Sequence, residues 1–317
     1  MKEKSILYIV VPCYNEEEVL PETSKRLKEK LTKLIEDEKI SKKSKIMFVD
    51  DGSKDKTWEL ISSLHTQDKM FTGVKLSRNK GHQNALLAGL ETAKKYADVT
   101  ISLDADLQDD INAIDKMMAE YYVGSDIVYG VRSARKKDTA FKRMTAEGFY
   151  KIMEKFGVDI VFNHADYRLM SKRALDALFE YQEKNVFLRG IIPQIGYKTS
   201  KVEYERAERF AGKSKYPLKK MLALAGDGIT SFSIKPLILI MMFGIVLGIL
   251  GFVGFVTTLV LMYVIHTSAI WPLISFATFL TGIIVFAVGI VGVYVGKTYI
   301  ETKNRPRYFI EKELNDD

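Results

Sequence analysis

The chain has 317 residues, with 47 basic and 40 acidic side chains and a formal net charge of +7. That length allows one full domain and an extension, and the basic balance favours anionic partners such as phosphates, nucleotides or an acidic membrane surface. We expect no nucleic acid partner, because no aromatic-basic motif of a nucleic-acid-binding module is present. The single cysteine, Cys13, excludes an internal disulfide and is consistent with a reducing compartment.

Residues 1–208 alternate short runs rich in β-branched residues with patterns typical of amphipathic helices. The predicted strands are Ser5–Pro12, Lys45–Asp50, Gly73–Ser77, Val99–Asp104 and Asp126–Val131. The predicted helices are Glu17–Ile40, Asp55–Leu64, Gln83–Tyr96 and Ile111–Tyr122. This alternation predicts an α/β domain of Rossmann-like type, with a mostly parallel sheet covered by helices on both faces. Ligands of such sheets bind at the carboxyl ends of the strands.

Polar residues follow three of these strand ends. Asp51 begins a sequence that is also typical of an ordinary turn, and Glu16 could simply favour the dipole of a first helical turn. Asp104 and Asp106 are harder to explain structurally, since alternate residues of an extended segment point the same way and adjacent carboxylates repel. Their oxygens suit Mg²⁺ or Mn²⁺ held together with a substrate diphosphate, and Gln108 could supply a neutral third ligand.

Residues 209–235 form a basic segment that precedes a long apolar stretch. It contains a cluster without a single acid, made of Arg209, Lys213, Lys215, Lys219 and Lys220. Apolar residues recur at helical spacing after Tyr216, so we expect an amphipathic helix at the membrane interface. Basic residues beside a spanning helix attract anionic lipid, whereas the alternative is a merely solvated basic face.

Residues 236–296 contain no Asp, Glu, Lys or Arg. Two runs, 236–265 and 272–296, each exceed the ~20 residues that span a bilayer as a helix, so a transmembrane hairpin is predicted. The alternative is a pair of core helices in a soluble protein, which would carry a polar face. Basic residues flank the hairpin on both sides, which predicts a plasma-membrane protein with the domain, the 297–317 tail and both termini in the cytoplasm.

The motifs and their order resemble those of the family 2 glycosyltransferases with the GT-A fold. The resemblance is carried by VPCYNEEE (11–18), VDDGSKDKT (49–57), NKGHQNALLAG (79–89), DADLQD (104–109), DYRL (166–169), NVFLRG (185–190) and RFAGKSKY (209–216). With the hairpin added, the chain resembles the polyprenyl-phosphate hexosyltransferases, a group that includes bactoprenol glucosyltransferases and dolichol-phosphate mannose synthases. The Gln-x-x-Arg-Trp motif of processive polysaccharide synthases is absent, which disfavours a polymer-making enzyme.

The resemblance implies a role for each matching residue. Residues that would hold the nucleotide sugar are Pro12, Tyr14, Glu16, Asp51, Asp104, Asp106, Gln108 and Arg132. Asp104, Asp106 and Gln108 would also hold the metal, and Asp166 would be the catalytic residue that faces the acceptor. Arg143, Arg209 and Lys215 would bind phosphate or acceptor, although Arg143 could equally be a solvated loop residue.

The implied activity is inverting transfer of a hexose from a nucleotide sugar, UDP-glucose in the first place, to undecaprenyl phosphate at the cytosolic membrane face. UDP-GlcNAc or GDP-mannose are alternative donors, and a diacylglycerol or a soluble glycan is an alternative acceptor. A non-catalytic scaffold that binds nucleotide sugar is the alternative from another class. We also expect a homo-oligomer, as the resemblance implies, and the Gly-rich pattern after residue 243 permits close helix packing.

Overall fold

The computed structural model describes residues 4–132, 164–183, 187–205 and 270–315. Its strands are β1 (Leu7–Cys13), β2 (Lys45–Asp50), β3 (Phe71–Leu76), β4 (Val99–Ser102), β5 (Ile127–Arg132), β6 (His164–Ser171), β7 (Thr199–Tyr204) and β8 (Ile310–Leu314). Its helices are α1 (Leu20–Glu36), α2 (Thr57–Gln67), α3 (His82–Ala93), α4 (Ala113–Tyr122), α5 (Lys172–Glu180), α6 (Leu188–Gln194) and α7 (Ile270–Thr302). The five strands and four helices predicted over residues 1–132 are all present, with small shifts of their ends.

All eight strands form one sheet in the order β7-β5-β6-β4-β1-β2-β3-β8. β6 is antiparallel to both its neighbours and β8 is antiparallel to β3, while the other pairings are parallel. The prediction of a mostly parallel α/β sheet is therefore confirmed. The carboxyl ends of the parallel strands β1, β2 and β4 lie at the same end of the sheet. The antiparallel β6 begins at that end, so Asp166 lies beside the residues that follow β4.

Alternation of apolar residues along the buried strands divides the core into two layers. In β1, Leu7, Ile9 and Val11 face a core shared with α1, α2 and α4, whereas Tyr8 and Val10 face a core shared with α3, α5 and α6. Successive side chains of a strand point to opposite faces, so a strand with apolar residues at every position is covered on both.

One glycine allows α3 to approach the sheet closely. A Cβ atom on Gly89 would lie 2.5 Å from side-chain atoms of both Val10 and Val49. Any larger residue would therefore push α3 away from β1 and β2. The N-terminus of this helix carries His82, so the packing at Gly89 also sets the position of a site residue.

The segment after α7 returns to the domain as the edge strand β8. β8 pairs with β3, and the main-chain N–H of Ser77 donates to the carbonyl of Phe309 at 3.0 Å. Arg307 donates to the carbonyl oxygens of Tyr181 and Glu183, the latter at 3.1 Å. The sequence predicted a cytosolic tail here but not its pairing with the sheet.

The predicted hairpin falls partly within the described residues. Its second run, 272–296, belongs to α7, and its first run, 236–265, lies outside the described residues, as does the basic segment after residue 208. Within the described ranges, no helix combines the length and the hydropathy needed for a membrane span. The hairpin stays a prediction.

Candidate active site

The loops that follow β1 and β2 are joined by a set of hydrogen bonds. The main-chain N–H of Asn15 donates to Ser53 Oγ, and the Asn15 side chain accepts from the N–H of Lys54, both at 2.9 Å. Glu16 N–H donates to Thr57 Oγ1 at 2.9 Å. Asn15 has a φ of 52°, a left-handed conformation that asparagine tolerates better than most residues. These hydrogen bonds therefore hold the loop after β1 against the loop after β2.

The site residues predicted at the end of the first strand lie beside these two loops. Pro12 is buried within β1, whereas the side chains of Tyr14 and Glu16 are half-buried in the loop that follows. All three are thus brought near the end of β2, where Asp51 N–H donates to the carbonyl of Cys13 at 2.9 Å.

Asp51 is buried and holds the loop between β3 and α3. Its two carboxylate oxygens accept from the N–H groups of Lys80 and Gly81 at 2.7 and 2.9 Å. Burial raises the pKa of Asp51, and the two backbone hydrogen bonds oppose that effect. The neighbouring Gly52 has a φ of +65°, and a Cβ there would lie 2.6 Å from the backbone of Arg78. Asp51 therefore fixes the residues immediately before His82.

Asp104 and Asp106 lie in a turn and not on an extended strand. β4 ends at Ser102, two residues earlier than predicted, and Leu107 has a φ of 56°. Gln108 N–H donates to Asp106 Oδ1 at 3.2 Å, so the side chain of Asp106 closes this turn. The predicted alternation on an extended segment was therefore wrong, because the strand ends before either aspartate. The buried hydroxyl of Thr23 on α1 supports this turn by donating to the carbonyl of Ala105 at 2.8 Å.

His82 lies between two carboxylates that are far apart in sequence. Its Nε2 is 3.5 Å from Asp104 Oδ1 and 3.8 Å from Asp166 Oδ2. The pKa of Asp104 is raised to about 6, chiefly by burial and also by the negative charges of Asp109, Asp166 and Asp106, whereas nearby His82 opposes the rise. The structure thus brings the predicted Asp104 and Asp166 into one cluster through a histidine that the sequence had not singled out.

Two arginines hold Asp166. The buried Arg168 donates Nη2 to Asp166 Oδ1 at 2.6 Å. Arg189 places Nε 3.4 Å from Oδ1 and Nη2 3.3 Å from Oδ2. Burial alone would raise the pKa of Asp166, but Arg189 and Arg168 hold it well below its usual range. Ser102 donates Oγ to the main-chain carbonyl of Asp166 at 2.6 Å, which ties β6 to the end of β4.

Arg132 ends β5 in a second buried ion pair. Its Nη2 lies 3.3 Å from Asp109 Oδ1, and its Nε donates to the hydroxyl of Tyr204 at 3.3 Å. Tyr204 in turn donates to Asp109 at 2.6 Å. Asp109 belongs to the same turn as Asp104 and Asp106, so the predicted Arg132 is attached to the carboxylate-bearing turn.

Comparisons with known proteins find similar sequences over most of the chain. The family model described as "Glycosyl transferase family 2" matches residues 8–179. An uncharacterized glycosyltransferase of Bacillus subtilis, YkoT, is 52% identical over 314 residues, covering 99% of this chain and 93% of that protein. A prophage bactoprenol glucosyl transferase homolog of Escherichia coli is 39% identical over 308 residues, covering 96% of this chain and 98% of its own.

The chain belongs to glycosyl transferase family 2. Among solved structures, it is similar to glucosyl-3-phosphoglycerate synthase from Mycobacterium tuberculosis, in complex with Mn²⁺, UDP-glucose and phosphoglyceric acid. That similarity has a TM-score of 0.46 at 15% identity and covers 71% of this chain and 78% of that one.

The carboxylates of this family 2 glycosyltransferase fit a divalent cation by their chemistry. Burial raises the pKa of Asp104, the negative charges of Asp109, Asp166 and Asp106 raise it further, and a cation would offset that repulsion. Carboxylate oxygens are also the ligands that Mg²⁺ and Mn²⁺ prefer. Within the described ranges, however, no three His, Cys, Asp or Glu side chains are arranged to hold a metal ion. Metal binding by Asp104, Asp106 and Gln108 is therefore a proposal.

Three predicted phosphate-binding residues of the glycosyltransferase, Arg143, Arg209 and Lys215, lie outside the described residues. Conversely, no role was predicted for His82, Arg168 or Arg189. All three occur in motifs that carried the family resemblance, NKGHQNALLAG, NVFLRG and DYRL. A polar residue within a family motif was the available signal, but it does not tell which carboxylate the side chain will contact.

Proposed function

We propose that the protein transfers a hexose from a nucleotide sugar to a polyprenyl phosphate such as undecaprenyl phosphate, with inversion at the anomeric carbon. UDP-glucose is the first candidate donor. Several relatives bear the name bactoprenol glucosyl transferase, among them one from Shigella phage SfII that is 37% identical over 308 residues. The similarity extends over 96% of this chain and 97% of that protein, so it includes the apolar residues as well as the catalytic domain.

The contacts of the Asp166 carboxylate with two arginines are the observation that favours a phosphate acceptor. A hydroxyl acceptor needs a base that can take its proton, whereas a phosphate monoester, with a second pKa near ~6, is already largely dianionic at neutral pH. Arg189 and Arg168 hold the pKa of Asp166 well below its usual range, which makes it a poor proton acceptor. A permanently charged carboxylate can instead orient groups and stabilise positive charge that develops on the sugar.

The proposed reaction is a single displacement. An oxygen of the acceptor phosphate forms a bond to the anomeric carbon while the bond from that carbon to the nucleoside diphosphate breaks, and the electron pair leaves with the diphosphate. When bound, Mg²⁺ or Mn²⁺ would supply positive charge for the departing diphosphate. Asp104 and Asp106 would hold that cation, and Asp166 would stabilise the positive charge on the sugar ring from its place beside them.

We propose that this reaction takes place at the cytosolic face of the plasma membrane. The support is the absence of charged residues over 236–296 and the basic cluster that precedes it, which includes Arg209 and Lys215. A polyprenyl phosphate keeps its head group at the membrane surface, where basic residues attract anions within about a Debye length. The donor is a soluble nucleotide sugar and would reach the same face from the cytosol.

The test is a panel of radiolabelled nucleotide sugars, each incubated with the purified full chain and undecaprenyl phosphate, followed by extraction into organic solvent. Extractable label from UDP-glucose is the expected result. Label from UDP-GlcNAc or GDP-mannose alone would correct the donor but keep the reaction. If no donor gives lipid product while nucleotide sugar still binds, a non-catalytic scaffold explains the protein better.

A further inference from the structure

The two arginines that contact Asp166 differ in burial. The side chain of Arg168 is 1% exposed, whereas that of Arg189 is 31% exposed. Arg168 makes the shorter contact, 2.6 Å against 3.3 Å for the nearest Arg189 atom. Arg168 is therefore a structural partner that neutralises Asp166 within the core, and Arg189 contacts the same carboxylate from the solvent-accessible side.

The backbone of Arg189 is held in place by its neighbours. Phe187 and Leu188 are buried, and the N–H of Leu188 donates to the side-chain oxygen of Gln83 at 2.9 Å. Gln83 is adjacent to His82 at the start of α3, so one helix positions both the histidine and the first turn of α6, which carries Arg189. An arginine with a fixed backbone and a partly exposed guanidinium can bind an anion without ordering a loop first.

The acceptor must bring negative charge to a carboxylate that is already ionised. A phosphate dianion close to Asp166 would be repelled unless a cation lay between them. A guanidinium carries five N–H donors in a planar fork, so it can contact a carboxylate and a phosphate together. Among the described residues, Arg189 is an arginine that both contacts Asp166 and is partly exposed to solvent. Arg132, by comparison, is bound to Asp109, on the turn that carries Asp104 and Asp106, and to Tyr204 at the end of β7.

We propose that Arg189 binds the phosphate of the lipid acceptor and holds its attacking oxygen beside Asp166. This inference rests on the proposed function, because it assigns a residue to the acceptor side of the same site. The phosphate would be recognised by the planar guanidinium, and Asp166 would keep that guanidinium oriented. Arg189 is then a determinant of specificity for phosphate over hydroxyl acceptors.

The test compares Arg189→Gln and Arg189→Lys with the wild-type full chain in detergent. Arg173→Gln is the matched control, because Arg173 also pairs with an aspartate, Asp126, but packs on Tyr197 outside the site. For Arg189→Gln we expect the KM for polyprenyl phosphate to rise about 10-fold or more, on the scale of a lost charge-assisted hydrogen bond, with the KM for nucleotide sugar unchanged. Arg189→Lys should lie between, and Arg173→Gln should match the wild type.

Direct binding of a short-chain polyprenyl phosphate in the presence of UDP provides a readout that does not depend on turnover. It should weaken in Arg189→Gln by the same factor as the KM rises. Unchanged acceptor KM and binding in both Arg189 variants would overturn this inference alone, provided that the wild type makes lipid product. An equal rise of the donor and acceptor KM would also overturn it, since that indicates general damage to the site. Failure of the wild type to make lipid product would overturn the proposed function as well.

Discussion

Asp166 is a carboxylate that two arginines contact, and they hold its pKa well below its usual range. Asp166→Asn keeps the shape of the side chain but removes the charge, so we expect the rate of transfer to fall about 10²-fold or more, the scale of lost transition-state electrostatics. Asp176→Asn is the control, because Asp176 is an exposed residue of α5 that forms an ion pair with Lys94. Initial rates with saturating donor and acceptor measure the effect.

The pH dependence of that variant separates charge stabilisation from proton removal. If Asp166 took a proton from the acceptor, alkaline buffer would do so in its place and restore the variant. Because Arg189 and Arg168 hold the pKa of Asp166 low, we expect little recovery of the variant up to about pH 9. Return to nearly the wild-type rate at that pH would show that Asp166 is a base.

The concentration of carboxylates around Asp104 predicts dependence on a divalent cation. Excess chelator should abolish transfer, and Mg²⁺ or Mn²⁺ should restore it, because a cation would offset the repulsion between Asp104 and its neighbouring carboxylates. Asp106→Asn should lower the rate by orders of magnitude with little change in the melting temperature, since Asp106 is half-buried in a turn. Full activity in excess chelator would exclude the assignment of Asp104 and Asp106 as metal ligands.

Among the elements, β8 is preceded by an arginine that contacts residues distant in sequence. Arg307 donates to two carbonyl oxygens near the C-terminal end of α5, and it lies just before β8. Arg307→Ala should lower the free energy of unfolding by about 1.5–3 kcal/mol, the range for hydrogen bonds to a charged group. The control is Arg305→Ala in the same segment, where the side chain is exposed. Thermal unfolding of both variants is the measurement, and equal melting temperatures would show that the Arg307 contacts contribute nothing.

The sequence predicted β1 to β5 and α1 to α4 because each has a local pattern that the final packing keeps. β1 is apolar at every position and is buried on both faces, and α1 has apolar residues three and four apart. The polar strands β7 and β8 have no such pattern, and each forms an edge of the sheet through a partner distant in sequence. Their pairing depends on long-range contacts that a local pattern does not contain.

The same distinction applies to the site. Asp104, Asp106 and Asp166 were predicted because carboxylates in family motifs are visible in the sequence. The contacts of Asp166 with His82 and Arg189 were not, because they join a helix N-terminus, a strand and a later helix. The alternation of Asp104 and Asp106 failed as an argument because β4 ends at Ser102, before either aspartate, and no residue type there marks the end of the strand.

At the scale of the whole molecule, the C-terminal strand fixes where α7 ends. α7 ends at Thr302 and β8 begins at Ile310, so the intervening segment must keep the end of α7 close to β3. An extended chain rises at most ~3.3–3.6 Å per residue, which allows only a short separation. The end of α7 therefore lies close to the sheet of the domain. The proposed orientation, with the domain and both termini in the cytoplasm, requires this closeness.

That orientation predicts a labelling pattern in intact cells. A cysteine at Ser268, in the connection between the two apolar runs, should react with an impermeant thiol reagent, because basic residues flank the hairpin and none lies in the connection. A cysteine at Lys4 should react only after permeabilisation, since the N-terminus is expected on the cytosolic side. The native Cys13 is buried and should contribute little background. Labelling of the Lys4 variant but not the Ser268 variant in intact cells would reverse the topology, and the donor would then have to reach the site from outside the cell.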